Sequence, residues 1–523
     1  MRPAVFDLRD GAMLVEFPEA SDEEANRACV ALGARLRADP GVGGGVRDAI
    51  PGARSLLIVF DPRRLSSAAL RDAVGGPLVA PADASRRTER RTLIVPVVYD
   101  GPDLDELGRA AGMSSTELAR RHAGGDYRVA FLGFAPGFAY LTGLARELHA
   151  PRLRVPRSRV PAGSVAIGGP YTGVYPAASP GGWRLIGRTS LRLLDPAADP
   201  PVLLAAGDRV RFASVREEDL PSPAPRRDGS KEPSGVPILR VLSPGVAATV
   251  QGAAQPGRGS SGIPPGGAAD PLSLARANAA AGNAPDTPGL EMGLLGCEVE
   301  ILSDAVIALG GGVEAEWNGR PAPLATPLEG AAGDRLRVGR VREGFWAYLA
   351  VRGGLEPPAR FPPQPRLAAG DLLARLGAPE SAAPLPVTVT PSGSSRELRL
   401  RVLPGPEAGA FEPSELARFF ASAWRVSAEC DRRGLRLERL EGATPLAHRA
   451  APEIPPSGTV PGTIQVPGGG LPIVLGPDGP VTGGYPRIAT VIGPDLALLG
   501  RAGPGAVLRF ARVTLEEALR ALD

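Results

Sequence analysis

VPAGSVAIGGPYTGVYP (160–176) and IPPSGTVPGTIQVP (454–467) lie in opposite halves of a 523-residue chain, yet both are short Val/Ile/Thr runs broken by Gly and Pro. The likeness extends to three pairs in the same order. PAGSV (161–165) matches PSGTV (456–460), TGVYP (172–176) matches TGGYP (482–486), and GDRVRF (207–212) matches GAVLRF (505–510). A further closing strand, GDRLRVGRV (333–341), ends the text between them. Repeated short strands with Gly/Pro turns close into barrels more readily than they stack as open sheets, so the chain reads as mainly β, with related barrel units in tandem.

Outward from these repeats the organisation changes. Residues 1–85 alternate strand and helix signals: AMLVEF, a capping box at Ser21-Asp22-Glu23-Glu24 opening EEANRACVALGARLRA, then SLLIVF and a helix after Ser66. This predicts a small N-terminal α+β domain. PADASRRTERR (81–91) reads as a linker, and 90–216 as a barrel interrupted by helical patterns at DLDELGRAAG and SSTELARRHA. DLPSPAPRRDGSKEPSG (219–235) marks the clearest boundary. Two more β-rich blocks follow, 237–375 and 396–523, separated by Pro-rich text from 357 to 395.

Composition removes several function classes. The formal net charge of +3, from 59 basic and 56 acidic residues, supplies no field for nucleic acid or an anionic membrane surface. Lys231 is the single lysine and follows no strand, which excludes a P-loop and leaves no biotinyl-lysine. Three scattered cysteines give no disulfide framework, and the first residues carry acid but no apolar signal core, so the expected location is cytoplasmic. His122, His149 and His448 have no metal-ligand spacing, so no metal site is expected. His122 ends a predicted helix, where its charge would meet the dipole. Gly310-Gly311-Gly312 reads as a tight turn.

The string FLGFAPGFAYLTGLARELHAPRLRVPRSRVPAGSVAIGGPYTGVYPAASPGGWRLIGRT (131–189) resembles the allophanate hydrolase subunit 1 family, the B-type component of bacterial 5-oxoprolinase. The second half resembles the C-type component, of the allophanate hydrolase subunit 2 or biotin-dependent carboxyltransferase-like family. TVQ (249–251), GIPPGGAAD (262–270), ARANAAAGN (275–283), LEM (290–292), ECDRRGLRLE (429–438), GTIQVP and TGGYP carry that resemblance. Together they imply a B–C fusion built on cyclophilin-like β-barrels. The second half departs from its pattern at several points. Gly252 to Gln255 replace Asp-x-Gly-Arg, Gly266 and Ala269 replace Ser and Met, Arg433 and Leu435 replace Met and Tyr, and in DGPVTGG (478–484) Gly479, Pro480 and Val481 replace Arg, Gln and Thr. These changes take polar side chains from turns expected to line a groove.

The resemblance implies ATP-dependent opening of 5-oxo-L-proline to L-glutamate with a separate A-type subunit of 5-oxoprolinase, with ATP as cofactor and no bound biotin. Such a site must hold a carboxylate and phosphates, which suits the planar fork of Arg. On that basis Arg152 and Arg157 are read as anion clamps, His149 as acid, base or polar orienter, and the Gly163-Ser164 turn as donor to an oxyanion. Arg188 follows the Gly-Gly-Trp turn. Tyr175 and Trp183 form either a pocket wall or core. In the second half Asp270, Asn278, Glu291, Asp431, Arg436, Gln465 and Tyr485 stand at family-matching positions, Asp431 and Arg436 forming either site or ion pair. The same resemblance admits two other readings: a carboxyltransferase related to urea carboxylase, and a non-catalytic regulator of a histidine kinase.

Overall fold

The computed structural model describes residues 2–76, 91–221, 234–377, 397–440, 444–449 and 451–522. The two boundary segments read from sequence lie outside these residues, apart from Arg91, 219–221 and 234–235, as do Lys231 and the stretch 378–396.

Four strands, β1 (Ala4–Arg9), β2 (Ala12–Glu16), β3 (Val46–Pro51) and β4 (Ser55–Phe60), form an antiparallel sheet in the order β1–β2–β4–β3. Strand alternation gives it two apolar faces. Met13, Val15, Leu56 and Ile58 pack on helices α1 (Asp22–Ala38) and α2 (Ser67–Gly75), against Cys29, Leu32 and Leu70. Leu8, Leu14, Ile50 and Leu57 face the other way, onto Val460 from the far end of the chain. The capping box forms as read: Ser21 Oγ accepts from the Glu24 N–H, and the Glu24 carboxylate accepts from the Ser21 N–H at 3.1 Å.

The first barrel contains β5 (Thr92–Val97), β6 (Tyr127–Leu132), β7 (Ala139–Thr142), β8 (Arg157–Val160), β9 (Ser164–Gly168), β10 (Tyr171–Val174), β11 (Ser179–Gly181), β12 (Arg184–Arg188) and β13 (Arg209–Ser214). Its order is β12–β9–β10–β7–β6–β13–β5, with β8 and β11 forming a separate ribbon. Reciprocal 2.9 Å hydrogen bonds between Val98 and Arg188 join the two ends.

A middle unit follows with β14 (Pro237–Ser243), β15 (Ala247–Gln251), β16 (Gly289–Gly293), β17 (Glu298–Ile301), β18 (Ala305–Trp317), β19 (Arg320–Pro321), β20 (Leu328–Gly330), β21 (Arg335–Val351) and β22 (Leu372–Ala374). The second barrel comprises β23 (Glu397–Pro404), β24 (Trp424–Asp431), β25 (Gly434–Arg439), β26 (Ser457–Gly458), β27 (Thr463–Gln465), β28 (Ile473–Leu475), β29 (Thr482–Gly483), β30 (Arg487–Val491) and β31 (Val507–Arg512). It closes in the order β23–β30–β27–β28–β25–β24–β31, with β26 and β29 as its ribbon. Strand for strand this is the first barrel again, and in each the opening strand lies parallel to the closing one, β5 with β13 and β23 with β31. The fold is thus mainly β with barrel-like sheets.

Three sequence expectations change. TGVYP begins on β10 whereas TGGYP begins on β29, so that motif pair is not structurally equivalent; the counterpart of Gly163 (φ 82°) before β9 is Gly462 (φ 88°) before β27. GDRLRVGRV does not close a third barrel of this kind. It opens β21, antiparallel to β17 and β18, while β14 runs antiparallel to both of its neighbours, β17 and β22. Gly310-Gly311-Gly312 lies inside β18, where register shifts mark a bulge rather than a turn.

His122 also departs from expectation. It ends the helix Ser115–Ala123, but its ring is fully buried in the first barrel, 2.7 Å from the Tyr99 hydroxyl through Nδ1 and 2.8 Å from Thr172 Oγ1 through Nε2. Burial pushes its pKa down to about 3, so the neutral ring acts as a hydrogen-bonding core residue and not as a cation on the dipole.

Candidate functional site

The first-half candidates do not converge on an open anion site. Arg157 reaches back to Asp103, Nη2 to Oδ1 at 2.7 Å, and the other oxygen of Asp103 accepts from the Leu185 N–H at 2.6 Å. Its fork is therefore committed, which removes the geometric basis for a clamp. The Gly163 N–H donates to Tyr175 O at 2.7 Å, while the Ser164 N–H and hydroxyl both donate to Pro161 O, so neither amide is free for an oxyanion. Arg188 pairs with Asp100 at 2.8 Å and Glu217 at 2.7 Å. Tyr175 and Trp183 belong to a buried aromatic cluster with Phe131, Phe138 and Tyr140, which favours core over wall. His149 is exposed, with Nε2 3.1 Å from Leu144 O, and Arg152 is exposed near the Tyr140 and Tyr175 hydroxyls.

The second-half candidates split between a buried network and separate supports. Glu291 is fully buried at the end of a polar chain. One carboxylate oxygen accepts from Arg432 Nη1 at 2.5 Å, and the other accepts from Tyr348 Oη at 2.7 Å and the Ala269 N–H at 2.8 Å. Arg432 also grips Asp478 bidentately (2.7 and 3.0 Å) and donates to Gly267 O. Burial works against its charge, but Glu291 and Asp478 outweigh it and hold its pKa above the ordinary value. Asp270, whose pKa burial raises, caps the helix Pro271–Ala281 by accepting from Ser273 N–H and Oγ. Asn278 donates to Pro285 O and Thr287 O, fixing the following loop. Gln465 donates to Tyr485 O at 3.4 Å. Arg436 pairs with Glu429 at 3.5 Å, so it is not the partner of Asp431, which accepts from the Arg433 N–H.

From this network Arg432 and Ala269 line a cleft of about 690 Å³ between the N-terminal sheet, the segment 252–275 and the second barrel. The segment is tied to every neighbour. The Gly259 N–H donates to Asp48 (2.5 Å), the Gly137 N–H to Ser261 O (3.1 Å), and the Gly266 N–H to Pro477 O (3.0 Å). The family departures meet here: Gly252, Ala254, Gly266, Ala269, Leu435 and Val481 all line the cleft and make its wall apolar. Of the sequence candidates Asp431 lines it, while His149, Arg152, Arg157 and Ser164 do not. Sequence reasoning missed Arg9, Asp48, Arg432, Asp478 and Tyr348. Arg432 and Asp478 stood inside quoted motifs, whereas Arg9 and Asp48 carried no local signal. The described lining residues include no Ser, Cys or His, so the cleft can bind, orient and offer the Asp431 carboxylate as a base, but it holds no nucleophile–histidine pair.

The cleft thus joins the N-terminal sheet of the first half to the second half, and the comparisons place both halves in one family. Residues 3–204 match the carboxyltransferase domain, subdomain C and D, and residues 261–512 match subdomain A and B. The chain belongs to the carboxyltransferase-domain family and carries both halves, in the order of a fusion of the B-type and C-type components of 5-oxoprolinase. It is 38% identical over 232 residues to the B-type component of 5-oxoprolinase from Bacillus subtilis (strain 168), spanning 42% of this chain and 95% of that protein. It is 34% identical over 299 residues to the C-type component of 5-oxoprolinase from Escherichia coli (strain K12), spanning 54% of this chain and 94% of that protein. Urea amidolyase of Lachancea kluyveri is 29% identical over 54% of this chain, which is 17% of that protein. The crystal structure of TTHA0988 superposes with a TM-score of 0.80 at 35% identity, over 96% of this chain and 99% of the other.

Proposed function

We propose that this chain is the fused B–C component of an ATP-dependent 5-oxoprolinase, opening 5-oxo-L-proline to L-glutamate with a separate A-type subunit. The observation that carries this reading is that relatives of the B-type and C-type components align end to end on one chain, and that both halves build one cleft. ATP does not fit that cleft. A triphosphate needs several uncommitted donors, whereas Arg47 is paired with Asp61, Arg432 with Glu291 and Asp478, and Asp286 and Asp431 add negative charge. In this reading ATP is held by the A-type subunit, and no step is routed through it here. This chain's part is to bind the small substrate, shield it from water and orient it, with Asp431 placed to take a proton.

The test is reconstitution. The purified chain alone is expected to release no glutamate, and adding an A-type subunit and ATP is expected to start release. Carboxyl transfer from carboxybiotin to a small acceptor, without glutamate release under any pairing, would replace this reading with the carboxyltransferase one, which the family description and the urea amidolyase likeness favour.

A further inference from the structure

We propose that Arg9 anchors the anionic group of a small monocarboxylate with an apolar body, bound in the cleft between the N-terminal sheet and the second barrel. The identity of the natural ligand rests on the 5-oxoprolinase reading; the anion site itself does not.

Arg9 ends β1, where the pairing with β2 slips between Asp7 and Arg9. A bulge of this kind re-aims the side chain that follows it. The guanidinium lines the cleft and makes a single hydrogen bond, from Nη1 to Pro461 O at 3.3 Å, while its Nε is buried without a partner. A buried N–H left without an acceptor is costly, and an oxygen ligand would supply the acceptor that Nε lacks. The nearby carboxylates are turned to other work. Asp7 pairs with Arg71, Asp10 accepts from the Gly493 N–H at 2.6 Å, Asp61 pairs with Arg47, and Asp48 pairs with Arg37. Among the described lining residues, Arg9 is the cation that makes no ion pair, the Asp10 charge nearby favouring its protonated form without a hydrogen bond to it.

The remaining wall defines the ligand class. Ile50, Phe60, Leu274, Trp346, Val460 and Leu499 present apolar surface, and the residues that replaced the family's polar turns extend it. Among the described residues Asp286 and Asp431 make no ion pair, and both are exposed, so a dianion or polyanion would meet two like charges and only one unpaired cation. One planar carboxylate matches both the guanidinium fork and this charge count.

Calorimetric titration of the whole chain tests the site with cyclopentanecarboxylate and 5-oxo-L-proline, using methyl cyclopentanecarboxylate and 2-pyrrolidinone as uncharged counterparts. Both carboxylates are expected to bind the unmodified chain about 10-fold or more tightly than the uncharged compounds. Arg9→Gln is expected to erase that difference, and Arg9→Lys, which keeps the charge but not the fork, to restore part of it. The ester comparison needs no variant and stands even if Arg9→Gln fails to fold. Carboxylates that do not bind, that bind no better than their uncharged counterparts, or that are indifferent to a folded Arg9→Gln would overturn the site. Arg9-dependent binding of cyclopentanecarboxylate with no glutamate release on adding the A-type subunit keeps the site and removes the 5-oxoprolinase reading. Turnover indifferent to Arg9→Gln keeps that reading and removes the site.

Discussion

Asp103 joins three elements at once: Arg157 on β8, the Leu185 N–H on β12, and the helix Leu104–Ala110 that it precedes. Asp103→Ala is expected to cost about 2–4 kcal/mol in urea unfolding, since it strands a half-buried guanidinium and a buried amide. Arg157→Lys is expected to cost about 1 kcal/mol and to leave partner-dependent turnover intact, and loss of turnover in a folded Arg157→Lys would reinstate the clamp. His122 makes a second prediction. Its native pKa of about 3 lies below the ordinary value, so the neutral ring contributes stability that is fully present above about pH 6.5 and lost as pH falls toward 3. His122→Gln is expected to melt below the parent at pH 7, with the gap narrowing by about pH 4. A gap that widens on acidification would mean that the buried ring is charged.

At the scale of elements, β18 and the helix Pro271–Ala281 approach so closely that a Cβ on Gly310 would lie 2.2 Å from Ser273 O. Ser273 O and the Cα that would carry the new methyl both belong to backbone in regular structure, so neither yields cheaply. Gly310→Ala is expected to destabilise by about 2–3 kcal/mol in urea unfolding, and a change under about 0.5 kcal/mol would show that the two elements can separate. That same glycine shows why part of the fold was illegible. Local rules sufficed where one segment determines its own state: the Ser21–Glu24 box and the helices after Ser66, Asp103 and Ser114 form where the sequence placed them. Gly310 to Gly312 looked like a turn because the reasons for glycine there lie far off in the chain, the helix Pro271–Ala281 for Gly310 and β21 for Gly311 and Gly312. The repeat was legible as architecture, but its register was not, since Thr-Gly-x-Tyr-Pro suits any tight exit from a strand. The cleft was the least legible feature, because Arg9 and Asp48 meet residues 252–269 and 431–481 only in three dimensions.

For the whole molecule the decisive contact is the one between its ends. Arg487, fully buried in β30, donates to both Glu407 oxygens and to Gly458 O at 2.7 Å, and stands 3.8 Å from Glu16 of β2. Burial raises the pKa of Glu16, and Arg487 restrains that rise. Ser55 and Ser457 share a 2.7 Å hydrogen bond beside it, and the Ala53 N–H donates to Pro456 O. Arg487→Met is expected to cost about 3–5 kcal/mol, because it leaves two carboxylates without their cation. Residues 2–221 and 234–522 produced as separate chains are expected to co-purify as an equimolar pair, and independent migration on gel filtration would show that the interface does not hold them.

The parallel pairing of first and last strands also sets a timetable for synthesis. A ribosome releases β5 long before β13 and β23 long before β31, so neither barrel can close until its final strand has emerged. The sheet of β1 to β4 waits longest, holding the apolar face of Leu8, Leu14, Ile50 and Leu57 open until Val460 arrives. In a two-gene arrangement that face would have to find its partner by diffusion, at whatever ratio the two messages supplied. Joining the halves in one chain makes the encounter intramolecular and the stoichiometry automatic, so the exposed interval lasts only as long as translation of the second half.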